Sequence, residues 1–479
     1  MEKLISDSQL VVRIVVSAVT FSLCGCAHQS GQEPVPAPTA APLSAVAEVG
    51  QCGVSAAQLG RLREVSIAVV ARGYAPGITS LIMCDGKPIF EHVGGQADSA
   101  RPMARDDLFR IYSMTKPLTS LAAMILVDDK RLVLDEPVAT YLPEVTNATV
   151  FESGDTLENI KTKAQLRAIT VRDLLRHTAG ITYSSQAPGA VFGLYGLRGI
   201  DNGSGAVVKP GDKSRPVANI GEFTQRLAGI PLLYQAGERF SYGGATDVLA
   251  AVVEKASGQR FRDFMDARIF KPLKMEDTFF QVPAEKVARL TAAYAGKSSE
   301  DTQGRVLRTT RVQALTGGQI MQIEDPKSSI FSKPRAIDFG GAGLVSTAPD
   351  YQRFLQALLQ DGELDGARVV SKGSAAQMLR NHLNPAALST PNIAAQGLGF
   401  GLGFSQFLQP EKLPTATPKN GSFWGGAAST YFWIDPERRI SGVVMTQVFG
   451  GDVMPFYLEM MNTIYSNNPN IHTENLLSQ

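Results

Sequence analysis

The chain has 479 residues, 44% hydrophobic and 19% charged, enough apolar material for a large core and too much for a wholly disordered or fibrous chain. At roughly 150 residues per domain the length suggests about three, but large α/β enzymes exceed that size per domain, so one or two are expected. Lysine and arginine number 46 against 45 aspartates and glutamates, a net charge of +1; with no basic excess to neutralise a run of phosphates, a nucleic-acid partner is not expected.

Residues 14–25 read IVVSAVTFSLCG, an apolar run that suits the core of a signal peptide and is short for a membrane span. Arg13 precedes it, and the run ends in Leu23-Cys24-Gly25-Cys26. This box resembles a bacterial lipoprotein cleavage site. The resemblance implies a signal peptide over 1–25, lipidation of Cys26, and a periplasm-facing envelope protein anchored to a membrane, the outer one. Glu2 and Asp7 depart from the usual leader, and an ordinary secretory signal or a retained anchor is the alternative. Residues 26–52, rich in Pro and Ala, read as an extended tether. In an oxidising compartment Cys52 and Cys84 can pair; the sequence leaves their geometry open, and Cys84 is equally readable as a buried thiol. Cys-x-x-C, a Cys/His cluster and His-Glu-x-x-His are all absent, so no zinc site is expected.

Leu59, Leu62, Val65, Val69 and Val70 predict a helix over 56–72. Residues 78–84, then Asp85-Gly86, then 87–95 predict a β-hairpin around a type I′ turn. A helix is predicted over 113–129, with Leu118, Leu121, Met124 and Ile125 inward, and further helices over 171–176, 219–228, 244–256 and 261–269. Residues 181–218 form a long Gly-, Ser- and Pro-rich stretch, in which Tyr183, Phe192 and Tyr195 read either as a lid or acyl-pocket wall or as part of a mobile surface loop. An amphipathic helix is predicted over 347–361, strands over 400–407, 427–434 and 440–448, a closing helix over 454–466 and a frayed tail over 467–479. Strands at both ends and helices between predict an α/β (α+β) fold. Its antiparallel sheet would be flanked by helices and built from about 53–125 and 335–466, with a helical part over about 126–334 inserted.

Three pieces carry chemistry. Ser113 and Lys116, in RIYSMTKPLTS, stand at i and i+3 and share one helix face. A serine alcohol is a poor nucleophile, but a neighbouring lysine can take its proton when the surroundings favour the neutral amine. One Ser-x-x-Lys match is weak evidence, and a solvated pair at a helix start is the plain alternative. Tyr242 precedes a strongly amphipathic helix; alone it reads as packing, but beside a Ser/Lys pair it is a candidate proton shuttle. Trp424-Gly425-Gly426-Ala427 reads either as a hairpin turn or as a strand edge that approaches a ligand closely and turns a backbone N–H into a site.

Together these pieces resemble the serine β-lactamase-type hydrolases, and among them the family VIII carboxylesterases related to class C β-lactamases. The family order of Ser-x-x-Lys, a Tyr motif and Trp-Gly-Gly is matched by Ser113/Lys116, Tyr242 and Trp424-Gly425-Gly426. The esterase motif Tyr-Ser-x-Ala-x-Asp stands here as Tyr242-Gly243-Gly244-Ala245-Thr246-Asp247, with Gly243 in place of Ser. LLRHTAG (174–180), GGAGLVSTAPDYQRFLQALL (340–359) and GLGFGLGF (397–404) extend the likeness over about 55–465.

The resemblance implies a β-lactamase/penicillin-binding-protein-like domain over 53–466 with its site between two parts. It implies Ser113 as nucleophile, Lys116 with Tyr242 as base network, an oxyanion hole from the N–H groups of Ser113 and Ala427, substrate contacts at Trp424, Gly425 and Gly426, and neither cofactor nor metal. Trp424 stands where β-lactamases carry a lysine that recognises a carboxylate, and Gly244 replaces the Asn of the class C Tyr-x-Asn motif. Both departures favour short-chain carboxylic esters as substrates over the alternatives, a β-lactamase or a D-Ala-D-Ala cell-wall peptidase. Gly-x-Ser-x-Gly is absent, and His177 reads as a structural residue rather than a triad member; His28 and His472 lie in the chain ends, and His92 and His382 lack an evident partner.

Overall fold

The computed structural model describes residues 52–200, 217–296, 320–449 and 454–466. The predicted leader and most of the tether, with Cys26, lie outside the described residues, as do 201–216 of the long loop and the tail over 467–479.

Ser55 opens helix α1 (Ala56–Ala71) with a capping box: Gln58 N donates to Ser55 Oγ at 3.3 Å and Ser55 N donates to Gln58 Oε1 at 2.8 Å. Strands β1 (Gly77–Cys84) and β2 (Lys87–Gly95) follow around Asp85 and Gly86, both at positive φ, as the Asp-Gly pair requires for a type I′ turn. Cys84, at the end of β1, is bonded to Cys52 with a Cα–Cα distance of 6.3 Å, so the pairing that the sequence left open is made.

Helix α2 (Thr115–Asp128) is buried on every side through Leu126, and it packs on α3 (Ala245–Ser257), which ends at Gly258 in the left-handed conformation. Thr347 caps α4 (Ala348–Leu359) by accepting from Asp350 N at 3.2 Å. The rest of the sheet comes from β3 (Leu398–Phe400), β4 (Ser405–Phe407), β5 (Ser422–Gly426), β6 (Thr430–Asp435) and β7 (Ile440–Met445), and α5 (Met454–Tyr465) closes the described chain.

The strands form one antiparallel sheet in the order β3-β4-β5-β6-β7-β1-β2. The join between early and late strands is the β1–β7 ladder, from Thr79 opposite Met445 to Cys84 opposite Ile440. Successive strand residues point to opposite faces. On β6, Tyr431 stacks on Tyr457 of α5 at 4.9 Å and Phe432 meets Tyr351 of α4 at 5.3 Å. The sheet is therefore covered by α5 on one face and α4 on the other, and α1 joins α5 through Gln58 Nε2, which donates to Thr463 O at 2.8 Å. Between β2 and α4 most of the regular structure of the described residues is helical, with a short ladder of Thr149–Ser153 on Lys161–Ala164 and another of Ala293–Gly296 on Ile320–Glu324. Among the described residues no helix is long and apolar enough to cross a membrane.

Several boundaries differ from those predicted: the strand predicted over 440–448 ends at Met445, with Val448–Phe449 pairing with Tyr294–Ala295 in a separate sheet, and three more differ near the site. The run 400–407 is two strands, because Gly401–Phe404 turn back where Gly403 passes α2 so closely that a Cβ there would lie 2.4 Å from Ser120 Oγ. The strand predicted at 427 begins at Thr430, since 427–429 form the turn between β5 and β6. The helix predicted from 113 begins at Thr115, and a 3₁₀ turn at Tyr112–Met114 precedes it.

One buried carboxylate pins the helical part. Asp173, fully buried, accepts from Arg167 Nη1 at 2.6 Å, Arg176 Nη2 at 3.0 Å, Thr178 Oγ1 at 2.8 Å and Thr170 N at 3.0 Å. Burial alone would raise its pKa, but the bonds from Arg167, Thr170 and Thr178 outweigh it and hold the group at about 2. Its stabilisation is therefore present above the ordinary carboxylate pKa and lost as pH falls toward 2. Asp173→Ala should cost about 3–5 kcal/mol in denaturant unfolding at pH 7, with the difference from wild type shrinking below pH 4.

Candidate active site

The segment before Ser113 is fixed on both sides. Phe109–Arg110 pair with Val345–Ser346, Ile111 N donates to Leu344 O at 3.1 Å, and Leu344 N donates to Thr115 Oγ1 at 3.1 Å. Tyr112 then takes φ +41°, a left-handed conformation that costs a non-glycine residue roughly 1 kcal/mol or more. It turns the chain so that Ser113 projects from the 3₁₀ turn ahead of α2. Tyr351 OH donates to Met114 O at 2.9 Å and ties this turn to α4.

Lys116 follows three residues later and is fully buried. Its Nζ donates to Ser113 Oγ at 3.2 Å, Tyr183 OH at 2.9 Å and Gly341 O at 2.8 Å, all neutral oxygens. Two rings wall it in, Tyr242 with its centroid at 4.8 Å and Tyr183 at 5.4 Å. Tyr242 OH donates to Ser113 Oγ at 2.7 Å. One hydroxyl oxygen thus receives both the lysine and the tyrosine, and the structure brings these three sequence-selected residues together from α2 and the turn entering α3.

Gly243 now has a physical reason. A Cβ there would lie 2.4 Å from Cα and C of Thr182, so only glycine lets the Tyr242 turn press against the Thr182–Tyr183 backbone. That approach places Tyr183 and Tyr242 edge to face at 5.5 Å. The sequence offered Tyr183 as a lid or wall residue; its hydrogen bond to Lys116 was not foreseen. Sixty-seven residues separate the two, and no local pattern links them. Burial, then the neighbouring Tyr242 and Asp247, push the Tyr183 phenol well above its usual range, so it stays protonated. Of its loop companions, Tyr195 is buried and donates to Thr182 O at 2.6 Å, and Phe192 is exposed.

Trp424 is buried on β5, its ring 5.3 Å from those of both Tyr242 and Phe400. Gly425 and Gly426 end the strand. A Cβ on Gly426 would lie 2.3 Å from Ile111 O, so the end of β5 rests directly on the segment leading to Ser113. Ala427, itself exposed, begins the turn that follows. His177, at φ +55°, packs its ring 4.8 Å from Tyr242 and 5.4 Å from Phe400, and among the described residues neither ring nitrogen has a hydrogen-bond partner. Burial, then the charge of Lys116, hold it well below its usual pKa. It is a neutral wall behind Tyr242. His382 instead meets Gln377 O and Arg172, and His92 lies on β2.

Residues 63–458 match the family model for Beta-lactamase. The chain belongs to the beta-lactamase family. An uncharacterized protein of Mycobacterium tuberculosis is 32% identical over 350 residues, 72% of this chain and 78% of that one. Esterase EstB of Burkholderia gladioli is 28% identical over 403 residues, 81% of this chain and 91% of its own. The solved structure of EstCE1, described as a hydrolase with promiscuous acyltransferase activity, superposes with a TM-score of 0.68 at 26% identity, covering 86% of this chain and 99% of that one. The resemblance to the family VIII-like esterases thus holds, and the chain is a serine hydrolase of the β-lactamase fold.

Within this beta-lactamase-family site, Tyr183→Phe removes one of three oxygens that orient Lys116 without changing the ring. Hydrogen bonds to charged groups are worth about 1.5–3 kcal/mol, so kcat on an activated ester should fall about 10- to 100-fold, with thermal unfolding little changed.

Proposed function

We propose that the protein is a carboxylesterase that cleaves short-chain esters through an acyl-enzyme on Ser113. The observation that carries this reading is the Ser113 oxygen, held 3.2 Å from Lys116 Nζ and 2.7 Å from Tyr242 OH. The Lys116/Tyr242 pair takes the hydroxyl proton as Ser113 Oγ attacks the ester carbonyl. The N–H groups of Ser113 and Ala427 hold the resulting oxyanion, an assignment supported by the contact of Gly426 with the Ile111 carbonyl. The alcohol departs with the proton, and water, activated by Tyr242, then releases the acid. The substrate class is supported by the apolar wall of Trp424 and Phe400, where a β-lactam carboxylate would call for a cation, and by the likeness to Esterase EstB.

The Leu23-Cys24-Gly25-Cys26 box supports a further part of the proposal: lipid on Cys26 holds the enzyme at the cell envelope, facing the periplasm from the outer membrane, with residues 26–52 as tether. Incorporation of labelled fatty acid that Cys26→Ser removes is the check.

The decisive test of the activity is hydrolysis of p-nitrophenyl butyrate by the purified chain, with an intact-mass search for a butyryl adduct on the peptide carrying Ser113. Hydrolysis with that adduct, faster than on a long-chain ester, is expected. No hydrolysis but covalent labelling by a fluorescent penicillin would replace this reading with a β-lactamase or cell-wall peptidase. Neither signal would make the chain a binding protein on this scaffold.

A further inference from the structure

Lys116 can act as a base only as a neutral amine, with two N–H donors and one lone pair. Two of its three neighbours, Tyr183 OH at 2.9 Å and Gly341 O at 2.8 Å, are oxygens able to accept those donors, and the third is Ser113 Oγ. Tetrahedral geometry then sends the lone pair toward Ser113, provided the Gly341 carbonyl stays where it is. What holds it is visible on both sides of the preceding peptide. Thr119 Oγ1, on α2, donates to Gly340 O at 2.7 Å, and Gly341 N donates to Asp247 Oδ1, on α3, at 2.7 Å. No larger residue fits this seat: a Cβ on Gly340 would lie 2.6 Å from Thr246 O, and one on Gly341 would lie 2.9 Å from both Asp247 carboxylate oxygens.

We propose that Asp247 is a positioning residue of the serine–lysine pair: by fixing the Gly340–Gly341 peptide it aims the Gly341 carbonyl at Lys116, and through it the amine lone pair at Ser113. The proposal rests on Lys116 acting as base. Asp247 is fully buried, and its Oδ2 has no hydrogen-bond partner among the described residues. It therefore works through a single oxygen. Lys116, Arg335 and Tyr183 are the charged and titratable groups around it. Burial pushes its carboxyl up to about 7, against the pull of Lys116, the Gly341 N–H and Arg335. A protonated or amide group at this position keeps the accepting oxygen and adds no negative charge beside Lys116.

The test compares wild type, Ser113→Ala, Asp247→Ala and Asp247→Asn as purified full-length chains. The readouts are kcat and KM on p-nitrophenyl butyrate and the rate of phosphonylation by a fluorophosphonate probe. Asp247→Ala should lose about 10- to 100-fold in kcat and in phosphonylation rate, with KM within about threefold. Asp247→Asn should recover kcat to within about threefold of wild type, because Oδ1 still accepts from Gly341 N. Thr119→Val, a close isostere that removes the bond on the other side of the same peptide, should lose about tenfold in kcat by the same route. A folded Asp247→Ala with wild-type kcat overturns the proposal, and so does an Asp247→Asn as slow as Asp247→Ala. If Asp247→Ala does not fold, wild-type kcat in Thr119→Val overturns it. A wild type that neither turns over ester nor reacts with the probe, or a Ser113→Ala as active as wild type, fails the esterase reading itself and is told apart from all of these.

Discussion

Ser113→Ala should reduce kcat/KM for p-nitrophenyl butyrate by about 10⁴-fold or more, since on the proposed mechanism it removes the nucleophile and leaves only binding and oxyanion stabilisation. The fold should survive. The Ser113 side chain accepts two hydrogen bonds, from Lys116 and Tyr242, and both donors keep other surroundings: Lys116 retains Tyr183 and Gly341, and Tyr242 stays packed on His177, Tyr183 and Trp424. The unfolding midpoint should therefore lie close to wild type while the acyl adduct disappears. Ester hydrolysis at the wild-type rate in this variant would mean that another residue is the nucleophile.

Lys116→Met should lower kcat by about 10²–10⁴-fold, the usual contribution of a positioned general base, and leave KM nearly unchanged. Its effect on stability should have the opposite sign. An amine on a side chain with no solvent exposure is held by three neutral oxygens rather than by a carboxylate, so its charged form carries a desolvation cost that no hydrogen-bonded ion pair offsets. Methionine fills similar volume among the rings of Tyr183 and Tyr242 without that cost. The thermal midpoint should be unchanged or raised, the signature of a residue kept for chemistry against stability. A variant that keeps wild-type kcat would assign the base role to Tyr242 alone. One that loses activity together with several degrees of midpoint would make Lys116 a structural residue.

The elements that were legible in advance are those whose signals are local. Helix α1 follows from its apolar spacing, the hairpin of β1 and β2 from Asp85-Gly86, and α4 from Thr347 and Asp350 at its start. The strands around 400–407 and 427–434 were harder to delimit, because their ends are decided by what the backbone passes. Gly403 turns against Ser120 and Gly426 against Ile111, each contact joining segments hundreds of residues apart in the chain. The Ser113/Lys116 pair was readable because i and i+3 on one helical turn are neighbours by geometry alone.

By itself, then, the sequence determined the class of scaffold and named the candidate residues that the structure brings together. Ser-x-x-Lys, the tyrosine motif and Trp-Gly-Gly in that order mark a β-lactamase-type serine hydrolase. Only the tertiary structure decided the surroundings that give Lys116 its direction. Tyr183, Gly341 and Asp247 reach the site from separate elements, and their approach depends on Gly243, Gly340 and Gly341, where a Cβ would collide with its neighbours. Hydrogen-bond geometry of that kind depends on tenths of an ångström between distant segments, which spacing along a chain does not encode.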